Sequence, residues 1–163
     1  MIKFSIFNFQ FSKQRGLSLY ELLMVMAVIA IVAAIAIPAV KSLLPYWKLS
    51  SSTKAVLGKL RQAQEETVTT QLKHGVEFNP SVNPPTIKFI KNGSPDITLE
   101  TVTLGSGINL AIDSAIANNP NGANIIFFSS DGGPDVNGNI NLSLDTSSKT
   151  VNVSPAGVIK ITQ

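Results

Sequence analysis

The sequence predicts an α+β protein in which one long N-terminal helix, transmembrane in its first half and amphipathic in its second, packs on a C-terminal antiparallel β domain. Three observations predict it. An unbroken apolar run of 16 residues extends from Leu22 to Ile37. Apolar positions then recur at helical spacing as far as Thr67. The 89 residues from Gly75 onward place nine Gly, seven Pro and twelve Asn between short apolar runs.

Each element follows from local chemistry. Residues 1–16 form a short leader carrying Lys3, Lys13 and Arg15. Residues 17–38 then supply about the 20 residues a helix needs to cross ~30 Å of hydrocarbon. Lys13 and Arg15 beside its start hold that end in the cytoplasm and send the rest outward. Pro38 is expected to kink or interrupt the helix near the outer interface, and Pro45 to kink it again. From 39 to 74 the helix continues in amphipathic form. Leu49, Val56, Leu60, Ala63 and Thr67 share one face, while Lys48, Lys54, Lys59, Arg61, Gln62 and Glu66 fill the rest. His74-Gly75 is expected to end it, with Gly75 in the left-handed position after the helix C-terminus.

The β domain spans 75–163. Its expected strands are Val76 to Phe78, Thr86 to Ile90, Ile97 to Leu104, Ile108 to Ile112, Asn124 to Phe128, Ile140 to Leu144, Val151 to Val153 and Val158 to Ile161. Ile140, Leu142 and Leu144 alternate as a strand with one buried face should. A fragment from about Ser50 to Gln163 is expected to fold alone.

Composition bounds the chemistry. Outside the apolar run 56 apolar residues remain among 147, about 38%, too few for further spans. The absence of cysteine excludes disulfides, thiol catalysis and thiolate metal sites. The net charge of +3 comes from the leader: from Leu17 onward ten basic side chains face ten acidic ones. The basicity therefore does not describe a nucleic-acid-binding face.

The stretch Gly16-Leu17-Ser18-Leu19-Tyr20-Glu21-Leu22-Leu23, with its apolar continuation and Pro38, resembles the N-terminus of type IV prepilins and pseudopilins. That pattern is a basic leader ending in Gly, a hydrophobic residue that becomes the N-methylated N-terminus, a Glu four residues on, and a Pro at the end of the span. Leu17 stands where Phe is most common and Tyr20 where an aliphatic residue is usual. A carboxylate within such a segment is costly and normally has a partner. The resemblance implies a pilin-like fold, cleavage by a prepilin peptidase between Gly16 and Leu17, N-methylation of Leu17, and assembly through Glu21 and Pro38. Glu21 of one subunit would meet the new α-amine of a neighbour. The implied partners are other pilin or pseudopilin subunits, the peptidase and the assembly platform of the inner membrane. The implied location is a single pass of the cytoplasmic membrane, with the C-terminal domain periplasmic or extracellular. Leu60 to Phe78 and the end Pro155-Ala156-Gly157-Val158-Ile159-Lys160 are similar to the GspH/FimT group of minor pseudopilins, subunits of a type II secretion pseudopilus or a type IV pilus-like filament.

Other readings have weaker support. Ala34-Ile35-Ala36 offers a signal-peptidase site, but the apolar region is long for a signal peptide and contains Glu21. A pilin-anchored DNA-uptake or surface ligand-binding protein is the alternative. However, the arginines of the Gly-Arg-x-Arg motif of certain FimT-like proteins are absent after Gly157, and one lysine neutralises little phosphate. No nucleic-acid partner is expected. Asp131, Asp135, Asn137 and Asn139 offer hard oxygen ligands for a structural calcium, although their spacing fits no EF-hand register, and an Asn137-Gly138 turn in a long hairpin explains them as well. No catalytic residue or cofactor is expected: His74 is assigned a cap or dipole role, and Glu65 and Glu66 point apart on a helix.

Overall fold

A computed structural model describes residues 18–162 of the chain. The chain divides into two units, Met1–Lys41 and Ser42–Gln163, and helix α1 (Leu19–Thr70) contributes residues to both. Pro38 and Pro45 do not interrupt it. Proline lacks the N–H that would reach the carbonyl four residues back, so Ala34 and Lys41 forgo that donor while the helix continues.

The second unit is built on one face of α1. Leu49, Ser52, Thr53, Val56, Leu60, Ala63 and Thr67 are buried, which includes the whole expected apolar stripe. The buried hydroxyls are satisfied locally: Thr53 and Thr67 donate to the carbonyls of Leu49 and Ala63, both at 2.7 Å, and Ser52 accepts from the Gly105 N–H at 3.1 Å. Each satisfies the demand that a buried polar group find a partner.

Eight strands follow: β1 (His74–Asn79), β2 (Thr86–Lys91), β3 (Ile97–Thr103), β4 (Asn109–Ile112), β5 (Ile125–Phe127), β6 (Gly138–Leu144), β7 (Ser147–Val153) and β8 (Ile159–Thr162). They form two four-stranded antiparallel sheets, ordered β3-β2-β1-β5 and β4-β6-β7-β8. One core joins α1 to both: Val56 and Leu60 from the helix, Val76, Phe78, Ile87 and Ile126 from the first sheet with Phe128 just after β5, and Ile140, Leu142, Val151 and Val153 from the second. The strict alternation of Ile140, Leu142 and Leu144 is seen as buried side chains on one face of β6. Ile90, Ile125 and Phe127 form a second, smaller cluster, so all three β5 side chains are buried.

The helix ends earlier than the sequence suggests, at Thr70, and His74-Gly75 opens β1 instead of capping α1. Thr67 causes the difference. Its hydroxyl accepts from the His74 N–H at 2.9 Å while donating to Ala63, which draws the chain back onto the helix. Gln71, at φ 59°, takes the left-handed position expected of Gly75. Gly75 is required for another reason: a Cβ there would lie 2.6 Å from the Ile126 carbonyl oxygen and 2.7 Å from the Phe127 ring. A short helix α2 (Ser114–Ala117) was not expected. Asp113 precedes it, and its carboxylate accepts from the Asn139 N–H at 2.7 Å, tying α2 to the start of β6. The β6–β7 hairpin turns at Asp145-Thr146, with Asp145 at φ 53°, and not at Asn137-Gly138, whose glycine is the first residue of β6.

Two outcomes follow for stability. Leu49 is only 1% exposed, so a chain beginning at Ser42 is expected to unfold cooperatively. One beginning at Ser50 should be less stable by about 2 kcal/mol or more, because it loses a core leucine; urea titration of the two fragments measures the difference. Gly75→Ala should lower the stability of the Ser42 fragment by about 1–3 kcal/mol through overpacking, read in the same titration as a lower midpoint.

Candidate assembly and processing site

The N-terminal stretch of α1 begins with a cap. Ser18 precedes the first helical residue and its hydroxyl accepts from the Glu21 N–H at 3.2 Å. The Ser18 carbonyl accepts the first helical bond, from Leu22 at 3.1 Å. Ser18-Leu19-Tyr20-Glu21 thus has the spacing of a capping box, a signal legible in the sequence. It places Glu21 in the first helical turn, where unpaired N–H groups and the helix dipole favour a carboxylate.

The Glu21 side chain is exposed and has no hydrogen-bond or ion-pair partner among the described residues. Around it the helix is bare. Leu19, Leu23, Ile31 and Ile35 are 59–79% exposed. The most apolar 18-residue window has a mean hydropathy of 2.9, with none of it buried. Ala27, Ala30 and Ala34 lie exposed among these larger side chains, as close helix–helix approach in a membrane requires. Pro38 is exposed within α1. Gly16 and Leu17, the leader 1–16 and its Lys13 and Arg15 lie outside the described residues.

The four oxygen-bearing residues considered for calcium have separate engagements. Both Asp135 carboxylate oxygens accept hydrogen bonds: Oδ1 from the Phe127 N–H at 2.9 Å, Oδ2 from the side-chain amides of Asn119 at 2.9 Å and Asn121 at 3.1 Å. Asp131 accepts from the Gly133 N–H at 3.2 Å within its own turn. Asn139 Oδ1 accepts from Asn152 across the β6–β7 ladder at 2.8 Å. Asn137 is exposed. Among the described residues no group of three or more His, Asp or Glu is placed to hold a metal ion. Asp135 thereby links β5 to the loop after α2. Sequence reasoning missed this because its donors lie 8 to 16 residues away.

His74 is 5% exposed. Its ring stacks on Phe89 at 5.6 Å between centroids, and Nδ1 lies 2.8 Å from the Leu72 carbonyl. A carbonyl only accepts, so Nδ1 carries the proton. The residue is part of the packing at the start of β1 and does not cap α1. The C-terminal Gly157 sits at φ 76°, and a Cβ there would collide with the Gly132 carbonyl. Gln64 of α1 donates to the carbonyls of Gly132 and Gly157, at 2.6 and 2.9 Å, holding both loops. Lys160 is an exposed residue of β8.

Asp135→Ala should destabilise the Ser42 fragment by about 1–2 kcal/mol, since three donors lose a charged acceptor at a partly exposed site. Calcium or a chelator should leave the melting temperature of the wild-type fragment unchanged, which differential scanning fluorimetry measures.

The prokaryotic N-terminal methylation motif matches residues 11–37. No curated protein sequence matches the chain. Among solved structures, the type IV minor pilin FimU of Pseudomonas aeruginosa superposes with a TM-score of 0.59 at 14% identity, over 71% of this chain and 88% of that one. The minor pseudopilin EpsH of the Vibrio cholerae type 2 secretion system gives 0.58 at 13% identity, over 71% and 96%. Both likenesses are of fold. The chain thus carries the prokaryotic N-terminal methylation motif and shares the fold of these two structures, a long N-terminal helix packed on an antiparallel β domain.

Proposed function

We propose that the chain is a minor pseudopilin, a structural subunit of a type II secretion pseudopilus or a type IV pilus-like filament, and not an enzyme. The observation that carries this reading is the bare apolar stretch of α1 with Glu21 in its first turn. A helix apolar on all sides and unburied by its own chain needs lipid or neighbouring helices as its surroundings. The methylation motif over the same residues supports the same partners.

In this reading residues 17–38 span the cytoplasmic membrane, the leader is cytoplasmic, and the second unit is periplasmic or extracellular. Prepilin peptidase cleaves between Gly16 and Leu17, and the α-amine of Leu17 is methylated. An assembly platform of the inner membrane then moves the mature subunit into a filament. Glu21 supplies the carboxylate that a neighbour's α-amine meets. The pairing requires cleavage, because no α-amine exists at Leu17 before it. Pro38 leaves the Ala34 carbonyl without its helical donor, a local weakness at which α1 can adjust as helices bundle.

Intact mass and N-terminal sequencing test the processing. The expected product begins at Leu17 and is one methyl group heavier than the bare sequence; Gly16→Leu should retain the leader. A product beginning at Ile37 would show a secreted domain instead, and one beginning at Met1 a plain anchor. Glu21→Ala should be cleaved, stable and membrane-resident, yet fail to enter filaments. It removes no core contact and leaves a neighbour's charge unpaired, at a cost of about 3–5 kcal/mol. Crosslinking in sheared filament fractions measures the loss, and wild-type incorporation of the variant would show that this carboxylate is not the docking group.

A further inference from the structure

The second unit has a distinctive end, the one at which α1 enters it. Between Leu22 and Gln64 the sequence contains no acidic residue but four lysines and Arg61. Two lysines from different elements flank α1 at this end. Lys48 of α1 lies with Nζ 3.3 Å from the Ser106 hydroxyl in the β3–β4 loop. Lys149 of β7 has Nζ 5.0 Å from the centroid of the Tyr46 ring and 3.5 Å from the Ser50 hydroxyl. A cation over an aromatic face is held in place without being neutralised. Neither ammonium has a carboxylate partner among the described residues. The other charge on this hairpin is Asp145, four residues from Lys149 at the β6–β7 turn.

The apolar side chains at the same end suit one kind of surroundings. Leu43, Leu44, Tyr46 and Trp47 are 42–57% exposed. Leu, Tyr and Trp beside Lys is the composition of a membrane–water interface, where aromatic rings sit among headgroups and lysine stems lie along apolar surface with the charge in water. Lys48 stands eleven residues after Ile37, at most about 16 Å of helix. Helical side chains lean back toward the N-terminus, and the headgroup layer adds roughly 5–7 Å beyond the hydrocarbon. The ammonium therefore reaches within a Debye length, about 8–10 Å, of anionic headgroups.

We propose that this end of the second unit, built by Lys48 and Lys149 with Tyr46 and Trp47, is a docking surface for anionic phospholipid headgroups of the membrane that holds the apolar segment. Each lysine near an anionic leaflet strengthens its attraction about five-fold. The surface holds the unit down on the membrane while the subunit is resident there. It must be released when the subunit leaves the bilayer, so lipid charge opposes extraction. This inference rests on the reading of residues 17–38 as a membrane span.

Trp47 is the chain's single tryptophan, which makes the test direct. The full chain is reconstituted in nanodiscs of phosphatidylcholine alone, or of phosphatidylcholine mixed with phosphatidylglycerol. Trp47 is then quenched with acrylamide, a neutral quencher that an anionic surface does not repel. The expected result is quenching at least about two-fold weaker in the anionic discs at low salt, a difference that high salt removes. The Lys48→Gln/Lys149→Gln variant, checked for folding by circular dichroism, should show equal quenching in both lipids. Equal quenching of the wild type in both lipids, with the protein inserted, overturns the proposal and leaves the span intact. Protein recovered outside the discs overturns the span as well. Protection that appears in phosphatidylcholine alone and grows with the number of copies per disc assigns the surface to another subunit, and also overturns the proposal.

Discussion

Burial of one face of α1, from Leu49 to Thr67, is the interaction on which the rest of the second unit depends. Val56, Leu60 and Ala63 are fully buried in the core that also receives both sheets. Both four-stranded sheets contribute side chains to that core, and a half-apolar sheet is not stable alone in water. The helix also organises what lies beyond the core. Through Gln64 it holds the Gly132 and Gly157 loops, through Ser52 the start of the β3–β4 loop, and through Thr67 the entry to β1. The surface loops are thus fixed by hydrogen bonds to a helix whose position is set by apolar packing.

The same helix has an opposite physical character at its other end. From Leu19 to Leu44 no side chain is buried, and the large apolar residues are exposed on all sides. In water such a surface is unfavourable by about 25 cal/mol for each Å² of apolar area, far more than the marginal stability of a domain could offset. The environment that removes this penalty must come from outside the chain, as hydrocarbon or as other helices. Glu21 is the exception within that surface. Its backbone N–H is satisfied by Ser18 and its carboxylate sits in the first helical turn, a site that stabilises a negative charge without fully pairing it.

Much of this was legible in the sequence, and the reasons for the rest are specific. The α1 stripe could be read from its helical period, and the eight strands from short apolar runs set between Gly, Pro and Asn, with strict alternation in β6. Ser147 to Thr150 of β7 could not: these residues are polar or charged, and they are strand because Asp145-Thr146 folds them back onto β6 in register. The helix end was misread because glycine is a generic stop signal, whereas here the Thr67 hydroxyl and a left-handed Gln71 close the helix. Gly75 answers to a neighbouring strand instead. Helix α2 is a single turn, too short to show any period. The hydrogen bonds of Asp135 were not legible because its partners, Asn119, Asn121 and the Phe127 N–H, come together only in three dimensions. The N-terminal methylation motif was the most legible part, because its spacing is local and a carboxylate in a membrane-length helix is rare.

The central claim is that α1 changes surroundings along its length, from lipid or partner helices before about Lys41 to its own β domain after Leu49. The chain contains no cysteine, so single-cysteine variants report position without background. The most direct measurement is labelling of intact membranes with a membrane-impermeant maleimide, at positions from Val25 through Ser51. The account predicts no labelling at Val25→Cys, Val28→Cys and Val32→Cys, and full labelling at the exposed Ser51→Cys. Aqueous labelling at all four positions would contradict it.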